Sequence, residues 1–146
     1  MYNKILIPLD GSKRAERILP HVEKLADEFN AEVIFLQVVD PNRALIVVED
    51  AAYYSVDAFE QITKEAKAYL DGLQSEACAK GIRAKTKVLN GPVVQTILNL
   101  AEAEEVDLIA LASHGRTGLA RVFYGSVAAG LLNRADRPLF IIRARD

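Results

Sequence analysis

The sequence has little of several features that mark specialised protein classes. Its one cysteine, Cys78, excludes an internal disulfide and a zinc site with several thiolates. The formal net charge is −2, from 18 basic and 20 acidic residues, so the chain lacks the basic surface that binds DNA or RNA. No apolar run approaches the ~18 residues of a membrane span, and no signal-peptide pattern opens the chain. We therefore expect a cytoplasmic protein with no nucleic-acid or membrane partner.

Several familiar site motifs are also missing. The chain has no Gly-x-x-x-x-Gly-Lys-Ser/Thr loop and no Gly-x-Gly-x-x-Gly after its first predicted strand. It has no Gly-x-Ser-x-Gly elbow either, and no paired histidines at metal-ligand spacing. These absences argue against a P-loop nucleotidase, a dinucleotide-dependent oxidoreductase, a serine hydrolase and a resident metal centre.

The residues that are present predict a single α/β domain over 1–146. Hydrophobic residues make up 51% and charged residues 26% of the chain, which is ordinary for one globular domain of this length. Short apolar runs alternate with stretches whose apolar residues recur at helical spacing. The strands are predicted at 4–9, 32–39, 82–89, 106–112 and 138–142. Five strands separated by helices predict a doubly wound parallel sheet.

The helix pattern has two local uncertainties. The first predicted helix begins at Ser12, a candidate N-cap, and stops at Asn30, with a kink expected at Pro20 inside it. Residues 42–55 fit neither periodicity and are predicted as loop.

The candidate ligand site lies in two loops that follow strands. In open α/β sheets ligands bind beyond the carboxyl ends of the strands, where the strand order reverses. After the fourth predicted strand, Gly115 lets the backbone approach a ligand, and Arg116 adds positive charge. Gly125-Ser126 then begins a helix, whose free N–H groups attract a phosphate. The alternative is that Ser126 simply caps this helix.

Two polar residues in these loops also have more than one interpretation. Asp10 either caps the first helix or accepts hydrogen bonds from a ribose. His114 is either a general base or a structural residue, and no nucleophile with a recognisable partner accompanies it.

The chain resembles the universal stress protein family over essentially its full length. The family signature Gly-x2-Gly-x9-Gly-Ser/Thr corresponds here to Ala112-Ser113-His114-Gly115, nine residues, then Gly125-Ser126, with alanine in place of the first glycine. The opening Ile5-Leu6-Ile7-Pro8-Leu9-Asp10 and the closing Arg137-Pro138-Leu139-Phe140-Ile141-Ile142 are similar to the family's first and last strands.

The resemblance implies a Rossmann-like sheet of strand order 3-2-1-4-5. It also implies that the protein binds an adenine nucleotide, with ATP as the first candidate, with or without Mg. Asp10 is then expected to hold the ribose, and the Val38 backbone to contact the adenine. The base and sugar are also expected to contact Pro8, Leu9 and Ala112. The phosphates are expected to contact Gly115, Arg116, Gly125, Ser126 and Val127.

The function implied is that of an ATP-binding regulatory module of the stress response, acting on an unknown partner protein. The alternatives are a slow ATPase or nucleotidyl transferase on the same fold, and an interaction domain that binds no nucleotide. The apolar final strand, Pro138 to Ile142, is expected at a sheet edge, where it forms a homodimer with a second copy. Otherwise residues 42–55 fold over that edge.

Overall fold

The structure is a computed structural model that describes residues 1–115 and 125–145. Within these ranges strands and helices alternate along the chain. The strands are β1 (Lys4–Leu9), β2 (Glu32–Val39), β3 (Leu45–Val48), β4 (Ala51–Tyr54), β5 (Ala84–Asn90), β6 (Leu108–Gly115) and β7 (Leu139–Arg145). The helices are α1 (Leu19–Phe29), α2 (Val56–Ala79), α3 (Val93–Ala103) and α4 (Ser126–Arg134), and short 3₁₀ turns span Ala15–Ile18 and Pro41–Ala44.

The main sheet has five parallel strands in the order β5-β2-β1-β6-β7. Counted along the chain among these five strands alone, the order is 3-2-1-4-5, which confirms the predicted topology. Strand order reverses between β1 and β6, at the centre of the sheet. The two edges are β5 and β7.

Both faces of the sheet are covered, so the central strands are apolar on both sides. In β1, Ile5 and Ile7 pack in one core cluster with residues of α1 and α2. Leu6, between them, packs in the other cluster with residues of α3 and α4. This arrangement explains why β1 is an uninterrupted apolar run rather than an alternating one.

The first helix begins later than predicted because of Pro20. Ser12 does accept a hydrogen bond from the Ala15 N–H (3.1 Å), but the chain then forms a 3₁₀ turn before α1 begins at Leu19. Pro20 therefore lies in the first turn of α1, where its missing N–H costs nothing, and does not kink a longer helix. The predicted stop is confirmed, because Asn30 adopts the left-handed conformation (φ 52°) that ends α1.

Residues 42–55 form structure that their sequence pattern did not predict. A 3₁₀ turn leads into the antiparallel pair of β3 and β4, which makes a two-stranded sheet of its own. The hairpin leads directly into α2. This helix packs on β2 and β5, towards the sheet edge opposite β7. The edge strand β7 pairs with β6 alone in the described sheet, so the hairpin does not extend the sheet there.

The packing of α4 against α3 predicts opposite effects for two helical glycines. A Cβ at Gly130 would lie 2.7 Å from Cγ2 of Val94, whereas a Cβ at Gly72 in α2 would meet nothing within 4 Å. Gly130→Ala should lower the free energy of unfolding by about 1–3 kcal/mol through overpacking. Gly72→Ala should raise it by roughly 0.5–1 kcal/mol through helix propensity.

Urea denaturation of both variants measures this difference. Adding Val94→Ala to Gly130→Ala should recover part of the loss, because it removes the two methyl groups that crowd the new side chain. Equal shifts for the two glycine variants would contradict the close α3–α4 approach.

Candidate functional site

The candidate site is a gap between the two central strands. β1 and β6 pair only at Ile5 with Leu108 and at Leu6 with Ile109, although β1 continues to Leu9 and β6 to Gly115. The outer pairs remain in register: β1 with β2 through Leu9, and β6 with β7 through Gly115. The sheet is therefore split at the carboxyl ends of β1 and β6, the place where open α/β proteins bind ligands.

Pro8 lies just beyond the point where pairing between β1 and β6 ends. Backbone groups alternate sides along a strand, and the Lys4 carbonyl faces β6, where it accepts from the Asp107 N–H (2.9 Å). By the same alternation, residue 8 faces β6 as well. Proline has no N–H to donate there, so a proline in this central strand fits only because pairing with β6 has already ended.

The gap opens into a cavity of about 290 Å³, close to the smallest volumes of small-molecule sites. Its walls come from both sheet faces and from the start of α4. The lining residues are Pro8, Leu9, Asp10, Arg14, Ala15, Val38, Val93, Ile97, Leu111, Ala112, Ser113, Gly125, Ser126, Val127 and Ala128. The mixture of aliphatic walls with one carboxylate, one guanidinium and a helix terminus suits a ligand that has both an apolar and an anionic part.

An ion pair lies at the mouth of the cavity. Asp10 Oδ1 accepts from the Ser12 N–H (2.9 Å), and Asp10 Oδ2 accepts from Arg14 Nη2 (3.1 Å). Arg14 Nη1 donates to the Ala112 carbonyl (3.1 Å), on the opposite side of the gap. Arg14 is mostly buried, with 14% of its side chain exposed, whereas 57% of the Asp10 side chain is exposed. Both side chains line the cavity, and Asp10 is the more exposed member of the pair.

The local interactions keep Asp10 ionised. Partial burial raises the pKa of Asp10, but hydrogen bonding from Ser12 and the positive charge of Arg14 outweigh that effect and hold the pKa below its ordinary value. A carboxylate in this state only accepts hydrogen bonds. It is suited to hydroxyl donors on a ligand.

The second polar element is the beginning of α4. Gly125 is the N-cap residue, with φ 81° and ψ 154°, and no side chain of the described residues caps the helix. The interpretation of Ser126 as the cap is wrong, because Ser126 is the first helical residue. The N–H groups of the first turn have no intrahelical partner, so they present donors and the positive end of the helix dipole beside the cavity.

The cavity gathers most of the predicted site residues. Pro8, Leu9, Asp10, Val38, Ala112, Gly125, Ser126 and Val127 all line it. Gly115 is the last residue of β6, opposite Arg145 of β7, and Arg116 lies outside the described residues.

Sequence reasoning did not assign seven of the lining residues to the site, among them Arg14, Val93 and Ile97. The signal for Arg14 was its charge four residues after Asp10. For Val93 and Ile97 there was only the apolar stripe of α3, which core packing explains equally well.

Two further kinds of feature are absent from residues 1–115 and 125–145. No group of three or more histidine, cysteine or acidic side chains in this part of the chain is placed to hold a metal ion. None of the helices described is long and apolar enough to cross a membrane.

These features define an open α/β protein with a ligand crevice at the point where strand order reverses. A model of the universal stress protein family matches residues 1–143. The chain belongs to the universal stress protein family.

Individual relatives agree with this assignment. The universal stress protein MJ0577 of Methanocaldococcus jannaschii is 30% identical over 158 residues, which cover 100% of this chain and 98% of that one. A solved structure of MJ0577 superposes with a TM-score of 0.81 and covers 100% and 99% of the two chains.

Two solved family structures contain nucleotides. A universal stress protein in complex with cAMP has a TM-score of 0.65 at 20% identity and covers 98% of each chain. A family protein of Arabidopsis thaliana with AMP bound has a TM-score of 0.65 at 13% identity and covers 97% of this chain and 92% of that one. At these identities the likeness concerns the fold.

The lowered pKa of Asp10 predicts a pH-dependent share of stability. NMR titration of the Asp10 carboxyl should give a midpoint below 3.8, the ordinary value. Because the folded pKa is the lower one, this stability is fully present above the unfolded pKa and is lost as the pH falls through the folded pKa. Asp10→Asn should therefore lose less stability than the wild type on acidification below about pH 4. Identical pH slopes for the two proteins would contradict the assignment.

Proposed function

We propose that this protein binds an adenine nucleotide, with ATP as the first candidate, and acts as a regulatory module of the stress response. The single observation that carries the proposal is the cavity in the split between β1 and β6. Among the polar groups that line this cavity, one is the Asp10 carboxylate, which can accept hydrogen bonds from hydroxyl groups. Another is the helix N-terminus at Gly125, which no side chain of the described residues caps. Family relatives with cAMP and AMP bound support the same class of ligand.

Each part of a nucleotide has a matching group in the cavity. The Asp10 carboxylate accepts from the ribose hydroxyls, and the Val38 backbone contacts the adenine edge. Pro8, Leu9 and Ala112 supply apolar contacts to base and sugar. The phosphates lie at the first turn of α4, against Gly125, Ser126 and Val127. In this proposal Gly115, the last residue of β6, and Arg116, the next residue in the sequence, complete the phosphate side.

The phosphate assignment rests on the backbone at Gly125. Its φ of 81° is a conformation that residues with a side chain rarely adopt. Because the N-cap residue has no side chain, the free N–H groups of α4 stay accessible to an anion. A divalent cation such as Mg²⁺ would be held by the phosphates and water, since the described residues offer no carboxylate cluster for it.

The regulatory part of the proposal follows from the position of the ligand between the two halves of the sheet. Asp10 belongs to the half of the sheet formed by β1, β2 and β5, and α4 belongs to the half formed by β6 and β7. A nucleotide that contacts both joins the two halves across the gap and stabilises their arrangement by an amount that grows with the logarithm of its concentration relative to its dissociation constant. A partner protein that contacts this end of the sheet then responds to nucleotide occupancy.

Gly125→Val tests the phosphate site. The β-branched side chain opposes the positive φ and blocks the free N–H groups, so ATP affinity should fall about a hundredfold, the loss expected for two hydrogen bonds to a charged group. Isothermal titration of the folded variant with ATP measures this.

Gly81→Val is the matched control, because Gly81 has φ 82° with nothing within 4 Å of its Cβ position and does not line the cavity. Both variants bear the backbone strain, but only Gly125→Val should lose ATP. If the wild type binds no adenine nucleotide, or if the two variants lose affinity equally, the proposed site is wrong. Nucleotide carried through purification identifies which adenine nucleotide is preferred.

We further propose that β7 forms a homodimer with β7 of a second copy. The other edge strand, β5, carries Lys85 and Lys87, which pair with Glu32 (3.5 Å) and Glu104 (3.9 Å), and a charged edge discourages pairing. In β7 residues Leu139 to Ile142 carry no charge, and the two arginines of the strand, Arg143 and Arg145, lie towards its end. Two copies related by a twofold axis pair antiparallel and satisfy each other's edge groups.

The backbone alternation of β7 identifies the residue to test. The Pro138 carbonyl accepts from the Ile109 N–H (3.0 Å), so the backbone of Phe140 faces β6 and that of Ile141 faces outward. Ile141→Pro should therefore remove an intermolecular hydrogen bond and give a folded monomer in sedimentation analysis at micromolar concentration. Phe140→Pro should instead break a bond within the sheet and lower the monomer's stability by about 1–3 kcal/mol. A monomeric wild type, or an Ile141→Pro variant that stays dimeric, refutes the model.

A further inference from the structure

We infer that Arg14 is a positioning residue that holds the Asp10 carboxylate for a ribose diol and thereby sets the preference of the cavity for ribonucleotides over ligands without these hydroxyls. The inference rests on the proposed adenine-nucleotide function and deepens it. It is carried by one juxtaposition: a guanidinium that bridges Asp10 and the Ala112 carbonyl across the gap between β1 and β6.

The segment that carries Arg14 is held firmly. Arg14 precedes the 3₁₀ turn Ala15–Ile18, in which Ala15 and Ile18 are buried. On the next residue but one, Glu16 accepts from the Tyr69 hydroxyl of α2 (2.9 Å). With its backbone held in this way and its side chain mostly buried, Arg14 is a fixed donor for the more exposed Asp10 carboxylate.

The Arg14 side chain also supplies a hydrogen-bond donor that the separated strands do not provide. In a paired strand the Ala112 carbonyl would accept a hydrogen bond from β1, but the two strands have separated before this point. Arg14 Nη1 supplies the missing donor at 3.1 Å. The planar guanidinium can serve this carbonyl and the carboxylate at once, which a lysine ammonium does less well.

Asp10 retains capacity for a ligand while it is held. A carboxylate offers about four acceptor positions on two oxygens. The Ser12 N–H uses one on Oδ1, and Arg14 uses one on Oδ2. Each oxygen is thus oriented by a protein donor and can still accept another hydrogen bond, which matches the two adjacent hydroxyls of a ribose.

The experiment compares ATP with 2′,3′-dideoxy-ATP in titrations of the wild type and of Arg14→Gln. The wild type should prefer ATP. Arg14→Gln should weaken ATP binding about tenfold, in line with the loss of one charge-assisted hydrogen bond, and should weaken dideoxy-ATP binding far less. The ratio of the two dissociation constants should therefore approach one. In an Asp10→Asn background the Arg14 change should not alter this ratio further.

Lys13→Gln is the matched control, because Lys13 is the neighbouring cation, has 95% of its side chain exposed and pairs with Glu16 instead (3.6 Å). It should leave both affinities unchanged. Arg14→Lys, which keeps the charge, should reduce the preference for ATP by a smaller factor, and it decides the question if Arg14→Gln does not fold in circular dichroism melts.

The outcomes separate this inference from the function on which it rests. If Arg14→Gln lowers the affinity for both nucleotides by the same factor, Arg14 acts on another part of the ligand or on the fold alone, and the positioning role is wrong while the nucleotide site stands. The positioning role is also wrong if Arg14→Lys and Arg14→Gln both keep the wild-type preference for ATP over dideoxy-ATP. If the wild type binds neither nucleotide, the proposed function itself fails, and the role of Arg14 fails with it.

Discussion

The candidate site depends on the early end of pairing between β1 and β6. The two strands share register only at Ile5 with Leu108 and Leu6 with Ile109, and Pro8 then places a residue without an N–H on the side that faces β6. Full pairing would bring the strand ends to sheet spacing, about 4.8 Å apart, and no cavity would lie between them. Pro8 is therefore compatible with the space between the strand ends that the lining residues share.

A gap in the middle of a sheet leaves backbone groups without their usual partners, and the chain meets this need with a side chain. Arg14 reaches across to the Ala112 carbonyl and pairs with Asp10 in the same step. Burying a guanidinium is costly unless it has partners, and here it has two. The same contacts that satisfy the opened sheet therefore leave an ionised, oriented carboxylate at the mouth of the cavity.

The two sides of the gap have different chemistry. The β1 side supplies Asp10, an acceptor, whereas the α4 side supplies free N–H donors behind Gly125. A ligand with hydroxyls at one end and an anionic group at the other satisfies both sides at once. The aliphatic walls between them, among them Val38 and Ile97, suit an apolar part of a ligand. This combination supports the proposal of a nucleotide rather than a simple anion.

Local pattern and motif were enough to predict the strands of the main sheet and the positions of Asp10 and Gly125. Burial on both faces makes a strand such as β1 an apolar run, and the glycine at 125 is needed where φ is positive. The exposed hairpin of β3 and β4 was not predictable, because it buries little and so leaves no periodic signal. Nor was the bridge from Arg14 to Ala112, whose partners are 98 residues apart in sequence. Only the sheet topology brings these two residues to opposite sides of one gap, because periodicity reports which face of an element is buried and not which distant element lies beside it.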